Sequence, residues 1–380
     1  MKIVAIVAEY NPFHNGHAYQ LEQIKKIIPD SAVISVMSGN LVQRGEFAII
    51  SKYNRAKAAV LCGVDAVFEL PSVYSCAPAN LFAGAAVNII NKLGGVDYIC
   101  FGSESADLDL LEFAAEKSEN IKLGGISRDK NYANSFYDIF KDLYGEEQAR
   151  VFTGSNDILG VEYLRALKKN GNKITPLVIK RNGDDYITSA GNIRTCVRAF
   201  DFDNLKNFMP EKSFNILFNL IKSGKTADIN NISSAVMSHI DRLEPRELIK
   251  YADIHGGFEY KIKKSCANLF DYESLIKSLE SKHVTNSQVK RMILNIFFEI
   301  TREEQKEPPG FTNLLCANET GREYLNKIRK SAEIIISAKS AGFKDNKAFA
   351  KNIFIDNIYK LGLYNLSGEV NAAKEKPVIL

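Results

Sequence analysis

The residues in this sequence best suited to chemistry are two histidines, His14 and His17, in the segment NPFHNGH at residues 11–17. The segment follows a strand-like run at residues 2–8 and precedes a stretch with helical spacing. Side chains three positions apart at the start of a helix lie on one face of it. Gly16 lets a backbone approach closely, and a helix N-terminus favours an anion. The pattern therefore predicts a phosphate-binding loop.

The two histidines also allow a purely structural interpretation, in which one caps a turn and the other packs in the core. Short motifs such as His-x-x-His match by chance, which favours that interpretation when the motif stands alone. Here the motif follows the first strand, and ligands of open parallel sheets bind at the carboxyl ends of strands. Its position therefore favours a nucleotide site.

A second candidate element is the segment ITSAGNIR at residues 187–194. Thr188 and Ser189 supply hydroxyls at a helix start, where they can cap the first turn and contact phosphate oxygens. Arg194 follows as a bidentate phosphate donor, with Arg198 four residues further on the same face. Without the histidine loop, plain helix capping with a solvated arginine would be the favoured explanation.

Short apolar runs alternate with helical stretches in the first half of the chain, and this alternation must position both segments. Continuous apolar strands between helices predict a parallel sheet covered on both faces, an α/β fold of the Rossmann-like kind. The runs lie at residues 2–8, 31–37, 65–69, 97–101 and 173–180, with helical spacing at 18–28, 52–62 and 80–93.

After about Asp201 the pattern changes to amphipathic helical segments, with no competing strand run. We therefore predict two domains, an α/β domain over residues 1–200 and an all-α domain over residues 201–380. The predicted helical segments of the second domain are residues 214–223, 233–243, 272–281, 287–304, 321–341 and 348–361.

Composition excludes several classes of protein. Of 380 residues, 46% are hydrophobic and 25% charged, which disfavours disorder and a coiled-coil rod. The longest uncharged stretch, residues 70–91, contains Pro71 and Pro78 and several polar side chains, so it reads as core rather than a membrane span. No secretion signal follows Met1, so we expect a cytoplasmic protein. Six scattered cysteines predict reduced thiols and no metal site.

Charge is unevenly distributed between the two halves. Residues 1–198 carry 22 Lys and Arg against 22 Asp and Glu, whereas the remainder carries 27 against 23. A basic half weakly indicates a polyanionic partner, although most lysine-rich helices are merely solvated. The densest basic region comprises Lys261, Lys263, Lys264, Lys282, His283, Lys290 and Arg291, with Phe258 and Tyr260 as candidate stacking residues.

The two candidate phosphate segments resemble a known pair of signatures. NPFHNGH resembles the HxGH motif of the HIGH-motif nucleotidyltransferase superfamily, and ITSAGNIR resembles its ISSTxxR element, with Gly191 where that pattern has a serine. This superfamily transfers AMP from ATP to an acid or phosphate acceptor and shares its core with class I aminoacyl-tRNA synthetases. The resemblance implies an α/β nucleotidyltransferase domain.

Further segments are similar to one family within this superfamily, the tRNA(Met) cytidine acetate ligases. They are residues 5–17, 38–46, Lys52 with Arg55, 101–104, 154–160, 180–183, 282–285 and 290–291. The similarity thus spans most of the chain. At residues 256–261, Lys261 stands where the family pattern has an arginine.

The resemblance implies an enzyme with a two-step reaction. ATP and acetate would give acetyl-adenylate and pyrophosphate, and the acetyl group would pass to N4 of the wobble cytidine of elongator tRNA(Met), forming N4-acetylcytidine. It implies Mg²⁺ with the ATP, a tRNA-binding role for residues 201–380, no membrane and no obligatory protein partner.

The resemblance also assigns roles to particular residues. Catalytic roles fall to His14, His17, Lys52 and Arg194, and substrate contacts to Arg44, Lys261, Lys282, Lys290 and Arg291. ATP would be bound by Val7, Ala8, Glu9, Tyr10, Asn11, Pro12, Phe13, His14, Asn15, Gly16, His17, Ala18, Tyr19, Gln20, Gly102, Asn156, Arg181, Ser189 and Arg194.

Two other functions stay open at this point. One is a related adenylyltransferase that activates acetate for an acceptor other than tRNA, although such an enzyme would not need a second half of this size. The other is a non-catalytic RNA-binding protein on a decayed nucleotidyltransferase core, which the intact histidine and arginine motifs disfavour.

Overall fold

One eight-stranded sheet forms the centre of the computed structural model, which describes residues 1–119, 121, 132–171, 173–181, 190–269, 271–281, 284–337 and 346–380. A separate two-stranded hairpin follows the second strand of that sheet. The strands are β1 Lys2–Ala8, β2 Ser31–Ser38, β3 Leu41–Val42, β4 Glu46–Phe47, β5 Ala66–Leu70, β6 Tyr98–Ser103, β7 Thr175–Lys180, β8 Phe311–Ala317, β9 Ile335–Ser337 and β10 Val378–Ile379.

The sheet has the order β10-β8-β5-β2-β1-β6-β7, with β9 also paired to β8. The five strands predicted from sequence, β1, β2, β5, β6 and β7, are all present and pair in parallel with one another. The prediction of a Rossmann-like parallel sheet is therefore confirmed. The carboxyl ends of β1, β2, β6 and β7 meet at one edge, where the loops that follow them come together.

Helices cover both faces of this parallel core. Ile3 and Ala5 of β1 belong to one buried cluster, while Val4 and Ile6 belong to another on the opposite face. That alternation explains why the strands are continuous apolar runs. The helices of the first half are α1 Asn15–Ile27, α2 Lys52–Leu61, α3 Ser72–Ser75, α4 Ala79–Leu93, α5 Leu108–Ser118, α6 Tyr132–Tyr144, α7 Glu146–Ala149, α8 Ser155–Lys169 and α9 Ala190–Arg198.

The second half is mainly helical, but the prediction that residues 201–380 are all-α is wrong. This half contributes β8, β9 and β10, and β8 pairs antiparallel with β5 so that it extends the first half's sheet. All seven residues of β8 are buried. The strand was missed because one short apolar run cannot be told from a helical segment by its spacing.

Two predicted helices of the second half end earlier than expected. The segment 321–341 is helical only to Ile328, since the β-branched run from Ile334 to Ile336 leads into β9. Residues 287–304 form two helices separated at Glu299, whose φ is positive. The helices are α10 Phe202–Phe208, α11 Glu211–Lys222, α12 Ser233–Arg242, α13 Pro245–Leu248, α14 Phe258–Cys266, α15 Tyr272–Leu279, α16 Asn286–Phe297, α17 Arg302–Lys306, α18 Glu319–Ile328 and α19 Lys347–Leu361.

The β3–β4 hairpin joins the two halves at the edge where the strand-end loops meet. Its turn contains Gly45, with φ of +72°, and a Cβ atom there would lie 2.5 Å from the backbone nitrogen of Arg291 in α16. Only glycine combines this backbone conformation with so close an approach. The hairpin therefore lies directly against the backbone of α16.

Two sequence predictions about the chain as a whole can be compared with the structure. All six cysteines are unpaired, as predicted. Among the described residues, no helix has both the length and the apolar character needed to cross a bilayer.

Two helical glycines test how tightly α18 is docked on the sheet. A Cβ at Gly321 would lie 2.1 Å from the carbonyl oxygen of Asp65, whereas a Cβ at Gly84 in α4 meets no atom within 4 Å. We expect Gly321→Ala to lower the free energy of unfolding by about 1–3 kcal/mol through overpacking. The matched variant Gly84→Ala should raise it by about 0.5–1 kcal/mol, because alanine is the better helix former. Urea unfolding of both variants measures the change in the free energy of unfolding. Equal changes for the two variants would contradict the tight docking of α18.

Candidate active site

The two histidines form a capping box at the start of α1. His14 is the N-cap residue, and its Nδ1 accepts the backbone N–H of Gly16 at 3.0 Å. The Nδ1 of His17 accepts the backbone N–H of His14 at 3.1 Å. The two ring centroids are 3.9 Å apart, and the ring planes are tilted by 33° to one another. One histidine does cap the helix, as the structural interpretation of the sequence predicted. The same hydrogen bonds also determine which nitrogen of each ring can donate to a ligand.

These hydrogen bonds fix the tautomer of each ring. A ring nitrogen that accepts an N–H carries no proton, so each neutral imidazole must carry its proton on Nε2. Both Nε2–H groups are then donors on the side of the ring away from the helix backbone. The pair can therefore donate two hydrogen bonds to anionic oxygens without either ring being charged.

The surroundings of the rings favour the neutral form. Burial, followed by the positive charges of Arg181 and Arg194, lowers the pKa of His14 to about 4. Burial, followed by His14 and Arg181, lowers the pKa of His17 well below its usual value. Both rings are therefore neutral hydrogen-bond donors at neutral pH.

Two arginines lie close enough to the histidines to shift their pKa values, and they come from separate elements. Arg181 directly follows β7, and its side chain lies against Gly102 of β6, where a Cβ would meet the Arg181 Cγ at 3.2 Å. Arg194 of α9 donates from Nη1 to the carbonyl oxygen of Asn11 at 2.9 Å. The structure thus brings His14, His17, Gly102, Arg181 and Arg194 together, and their role in binding ATP stays a prediction.

The aromatic residues of the histidine loop have a different place from the histidines. Tyr10 and Phe13 are buried, and each ring packs against His17, with centroids 4.8 Å and 5.3 Å away respectively. Their side chains form the floor under the His17 ring. Of the predicted ATP-binding stretch, these two residues therefore act as packing supports.

Asn156 is tied to a carboxylate at the start of α8. Its Nδ2 donates to Oε1 of Glu104 at 2.6 Å, while Oε2 of Glu104 accepts the backbone N–H of Asp157 at 2.8 Å. A Cβ at Gly154 would lie 2.6 Å from the same carboxylate. Glu104 therefore supplies the acceptor for the helix start, which leaves the amide oxygen of Asn156 available to a ligand.

The predicted role of Lys52 as a cationic support for phosphate disagrees with its contacts. Its Nζ is buried, 2.8 Å from Oε1 of Glu69 and 2.5 Å from Oδ2 of Asp356. Burial opposes the charged form, but the carboxylates of Asp356 and Glu69 outweigh it and raise the pKa of Lys52. Two carboxylates already pair with this ammonium, which favours a structural role, and its contact with phosphate stays a prediction.

Arg55, for which no role was predicted, is a buried cation at the start of the histidine loop. Its guanidinium donates to the carbonyl oxygens of Glu9 at 2.5 Å, Ile50 at 3.1 Å and Gly39. Glu9 begins the histidine loop and Gly39 follows β2, so Arg55 ties these two strand-end loops together. Its position three residues after Lys52 on α2 was a weak signal, because a buried arginine cannot be recognised from spacing alone.

The basic residues predicted to contact tRNA have partners within the protein. Lys261 donates to the carbonyl oxygen of Leu279 at 2.9 Å, Lys290 to Glu46 at 2.6 Å and Arg291 to Asp253 at 2.7 Å. Arg44 is exposed at the turn of the β3–β4 hairpin. Their contact with RNA stays a prediction. Ser189 and Lys282, together with Thr188 and His283, lie outside the described residues.

Acid should destabilise the protein through the buried His14. Because its pKa is about 4 in the folded state and about 6.5 when unfolded, the unfolded chain binds more protons between these values. Stability therefore falls as the pH drops from about 6.5 towards about 4, by up to about 3 kcal/mol from this group. We expect His14→Asn, which keeps an N-cap acceptor, to lose less stability over that range than the wild type.

The measurement is the free energy of unfolding in urea at several pH values. His255→Asn serves as the control, because His255 is exposed and its ring stays in water. An acid slope for His14→Asn equal to that of the wild type would show that His14 is not buried as a neutral ring.

Comparison with known proteins agrees with this geometry. The family model described as HIGH Nucleotidyl Transferase matches residues 1–374. A tRNA(Met) cytidine acetate ligase from Acetivibrio thermocellus is 34% identical over 371 residues, covering 90% of this chain and 89% of that protein. Another, from Caldanaerobacter subterraneus subsp. tengcongensis, is 33% identical over 390 residues and covers 97% of both.

A solved structure shares the whole fold. The crystal structure of Thermotoga maritima TmcAL bound with alpha-thio ATP has a TM-score of 0.93 and 29% identity, and the match covers 100% of both chains. The resemblance carried by the two sequence motifs is thereby confirmed. The chain therefore belongs to the HIGH nucleotidyltransferase family and, within it, to the tRNA(Met) cytidine acetate ligases.

Proposed function

We propose that this protein is an ATP-dependent acetate ligase that acetylates tRNA(Met) by way of acetyl-adenylate. The observation that carries the proposal is the pair of neutral imidazoles at the start of α1, with both Nε2–H groups available and Arg181 and Arg194 beside them. Full-length similarity to proteins named tRNA(Met) cytidine acetate ligase supports the choice of acid and acceptor.

In the first step an acetate oxygen attacks the α-phosphorus of ATP. A bond forms between that oxygen and phosphorus, the bond to the β-phosphate oxygen breaks, and pyrophosphate leaves with the electron pair. No proton needs to move, so the protein only has to offset negative charge. The Nε2–H groups of His14 and His17 donate to phosphate oxygens, while Arg181 and Arg194 supply positive charge.

In the second step the exocyclic N4 of a cytidine attacks the carbonyl carbon of acetyl-adenylate. The bond between that carbon and the AMP oxygen breaks, AMP leaves, and the nitrogen loses one proton as the amide forms. We propose the wobble cytidine of elongator tRNA(Met) as the acceptor, giving N4-acetylcytidine. A polynucleotide substrate agrees with the excess positive charge after residue 198.

The proposed reaction uses Mg²⁺ together with ATP. The described residues contain no cluster of three or more His, Cys, Asp or Glu side chains placed to bind a metal. We propose that Mg²⁺ would enter the site together with ATP. It would offset charge on the triphosphate as it binds.

The proposal also covers the surface that contacts tRNA and the cellular location of the protein. We propose that residues 201–380 provide most of the RNA surface, with Arg44 adding a cation from the β3–β4 hairpin. Lys264, together with Tyr260, is exposed on α14, where a phosphate and an unstacked base could be bound. A tRNA substrate also supports a cytoplasmic location.

The purified protein should catalyse ATP–pyrophosphate exchange that depends on acetate, and His17→Ala should slow it about 10²–10³-fold because a transition-state donor is lost. The matched control is His255→Ala, which removes an exposed histidine far along the chain. Exchange by His17→Ala within about threefold of the wild type, far below that expected loss, would remove His17 from the mechanism.

The acceptor requires a separate measurement. Incubation with ATP, acetate and tRNA(Met), followed by mass spectrometry of the nucleosides, should give N4-acetylcytidine. Exchange without any acetylated nucleoside would indicate an adenylating enzyme with a different acceptor. Absence of exchange with any acid would indicate a non-catalytic RNA-binding protein.

A further inference from the structure

The carboxylate of Glu46 lies between the candidate active site and the second half of the chain. Glu46 belongs to β4, and its side chain is 23% exposed. Its Oε1 is 2.6 Å from Nζ of Lys290 in α16, and its Oε2 is 3.7 Å from Nη2 of Arg194. One carboxylate thus contacts the arginine beside the histidine pair and a lysine of the second half.

Arg194 is anchored to the histidine loop independently of Glu46. Its Nη1 donates to the carbonyl oxygen of Asn11, while Oδ1 of Asn11 accepts the backbone N–H of Ile49 at 2.8 Å. The guanidinium therefore has one edge on the loop and one edge towards Glu46. An anion that competes for the second edge would reduce what Arg194 offers to a triphosphate.

Charge balance around Glu46 limits that competition. Burial opposes the charge of Glu46, but the hydrogen bond and charge of Lys290, followed by Arg194 and Arg198, hold the pKa of this carboxyl below its usual value. Glu46 is therefore an anion at neutral pH, and Lys290 is its closest partner. Without the Lys290 ammonium, the full charge of Glu46 would face Arg194 and an incoming triphosphate.

The backbone holds this arrangement in place. Gly45 packs against the backbone of α16 at residues 290–291, and Arg291 donates from Nη1 to the carbonyl oxygen of Gln43 at 3.3 Å. The N–H of Gln43 in turn donates to Oε1 of Glu9 at 2.8 Å. The hairpin is therefore held between α16 and the histidine loop, which keeps the backbones that carry Glu46 and Lys290 side by side.

We propose that Glu46 is a positioning residue for Arg194, and that Lys290 neutralises Glu46 so that Arg194 stays available to the phosphates of ATP. In this arrangement Lys290 acts inward, on the nucleotide site, and not only as an RNA contact. The inference rests on the proposed function, because it takes the phosphates of ATP as the ligand of Arg194.

The test is a double-mutant cycle read out as the dissociation constant of ATP by calorimetry, without acetate or tRNA. Lys290→Met should weaken ATP binding about tenfold in the wild-type background. In the Glu46→Gln background the same change should alter binding less than about twofold, because Lys290 acts only through Glu46. Lys290→Arg should bind ATP like the wild type, since it keeps the charge.

The control is a second lysine–glutamate pair of similar exposure. Lys351 of α19 lies 2.5 Å from Glu304 of α17, with side chains 20% and 36% exposed. Lys351→Met should leave ATP binding unchanged while removing a comparable ion pair. Thermal unfolding of every variant shows whether a loss of affinity reflects a loss of folded protein.

Two outcomes would overturn the inference. One is a dissociation constant for ATP that Lys290→Met leaves unchanged. The other is an equal loss of ATP affinity on Lys290→Met in the wild-type and Glu46→Gln backgrounds, which would mean that Lys290 acts on the nucleotide directly. Failure of the proposed function gives a different result, namely ATP binding by the wild type without acetate-dependent exchange.

Discussion

The placement of two uncharged imidazoles at the start of α1, with His14 buried and His17 half-buried, is the constraint on which the surrounding structure depends. A buried ring nitrogen needs a partner, and each Nδ1 obtains one from a backbone N–H. Such bonds form only if the loop keeps one shape. Hydrogen bonds from outside the loop hold that shape. Arg55 donates to the carbonyl oxygen of Glu9, and the backbone N–H of Ile49 donates to Oδ1 of Asn11. The Ser213 hydroxyl donates to the carbonyl oxygen of Phe13 at 2.8 Å.

A second buried polar group determines how the remote parts of the chain meet. Lys52 of α2 pairs with Glu69 of β5 and Asp356 of α19, while Asn313 of β8 and Asn352 of α19 donate to the same Glu69 carboxylate. Buried ion pairs add little net stability, but breaking one leaves an uncompensated charge. The cluster therefore specifies one way of docking α19 and β8 against the first half, because any other would leave these charges unpaired.

The sequence predicted the parallel core and named candidate site residues that lie close together, but it did not predict the contacts among them. Apolar and β-branched composition identified β1, β2, β5, β6 and β7, because most of these runs are separated by stretches with helical spacing, as a parallel sheet requires. Strand β8 is as long as β1, but it was missed because it is an isolated apolar run among helical segments, and its antiparallel pairing with β5 joins residues more than 240 positions apart. His14, His17, Arg181 and Arg194 were found by motif. The carboxylate partners of Lys52 could not be predicted, because a lysine bound to two carboxylates has the same sequence signal as one that contacts phosphate.

The two halves of the chain depend on each other structurally, even if one binds ATP and the other binds RNA. Strand β8 pairs with β5, and without it the β5 edge of the sheet would carry unpaired backbone groups. The histidine loop is held in part from α11, through Ser213, and from Asn207, whose carbonyl accepts the Asn15 side chain at 2.9 Å. A chain cut near residue 200 would thus lose contacts to the nucleotide loop itself. The second half is therefore part of the support that keeps both imidazoles in place, because Asn207 and Ser213 contact the loop and helix start that carry them.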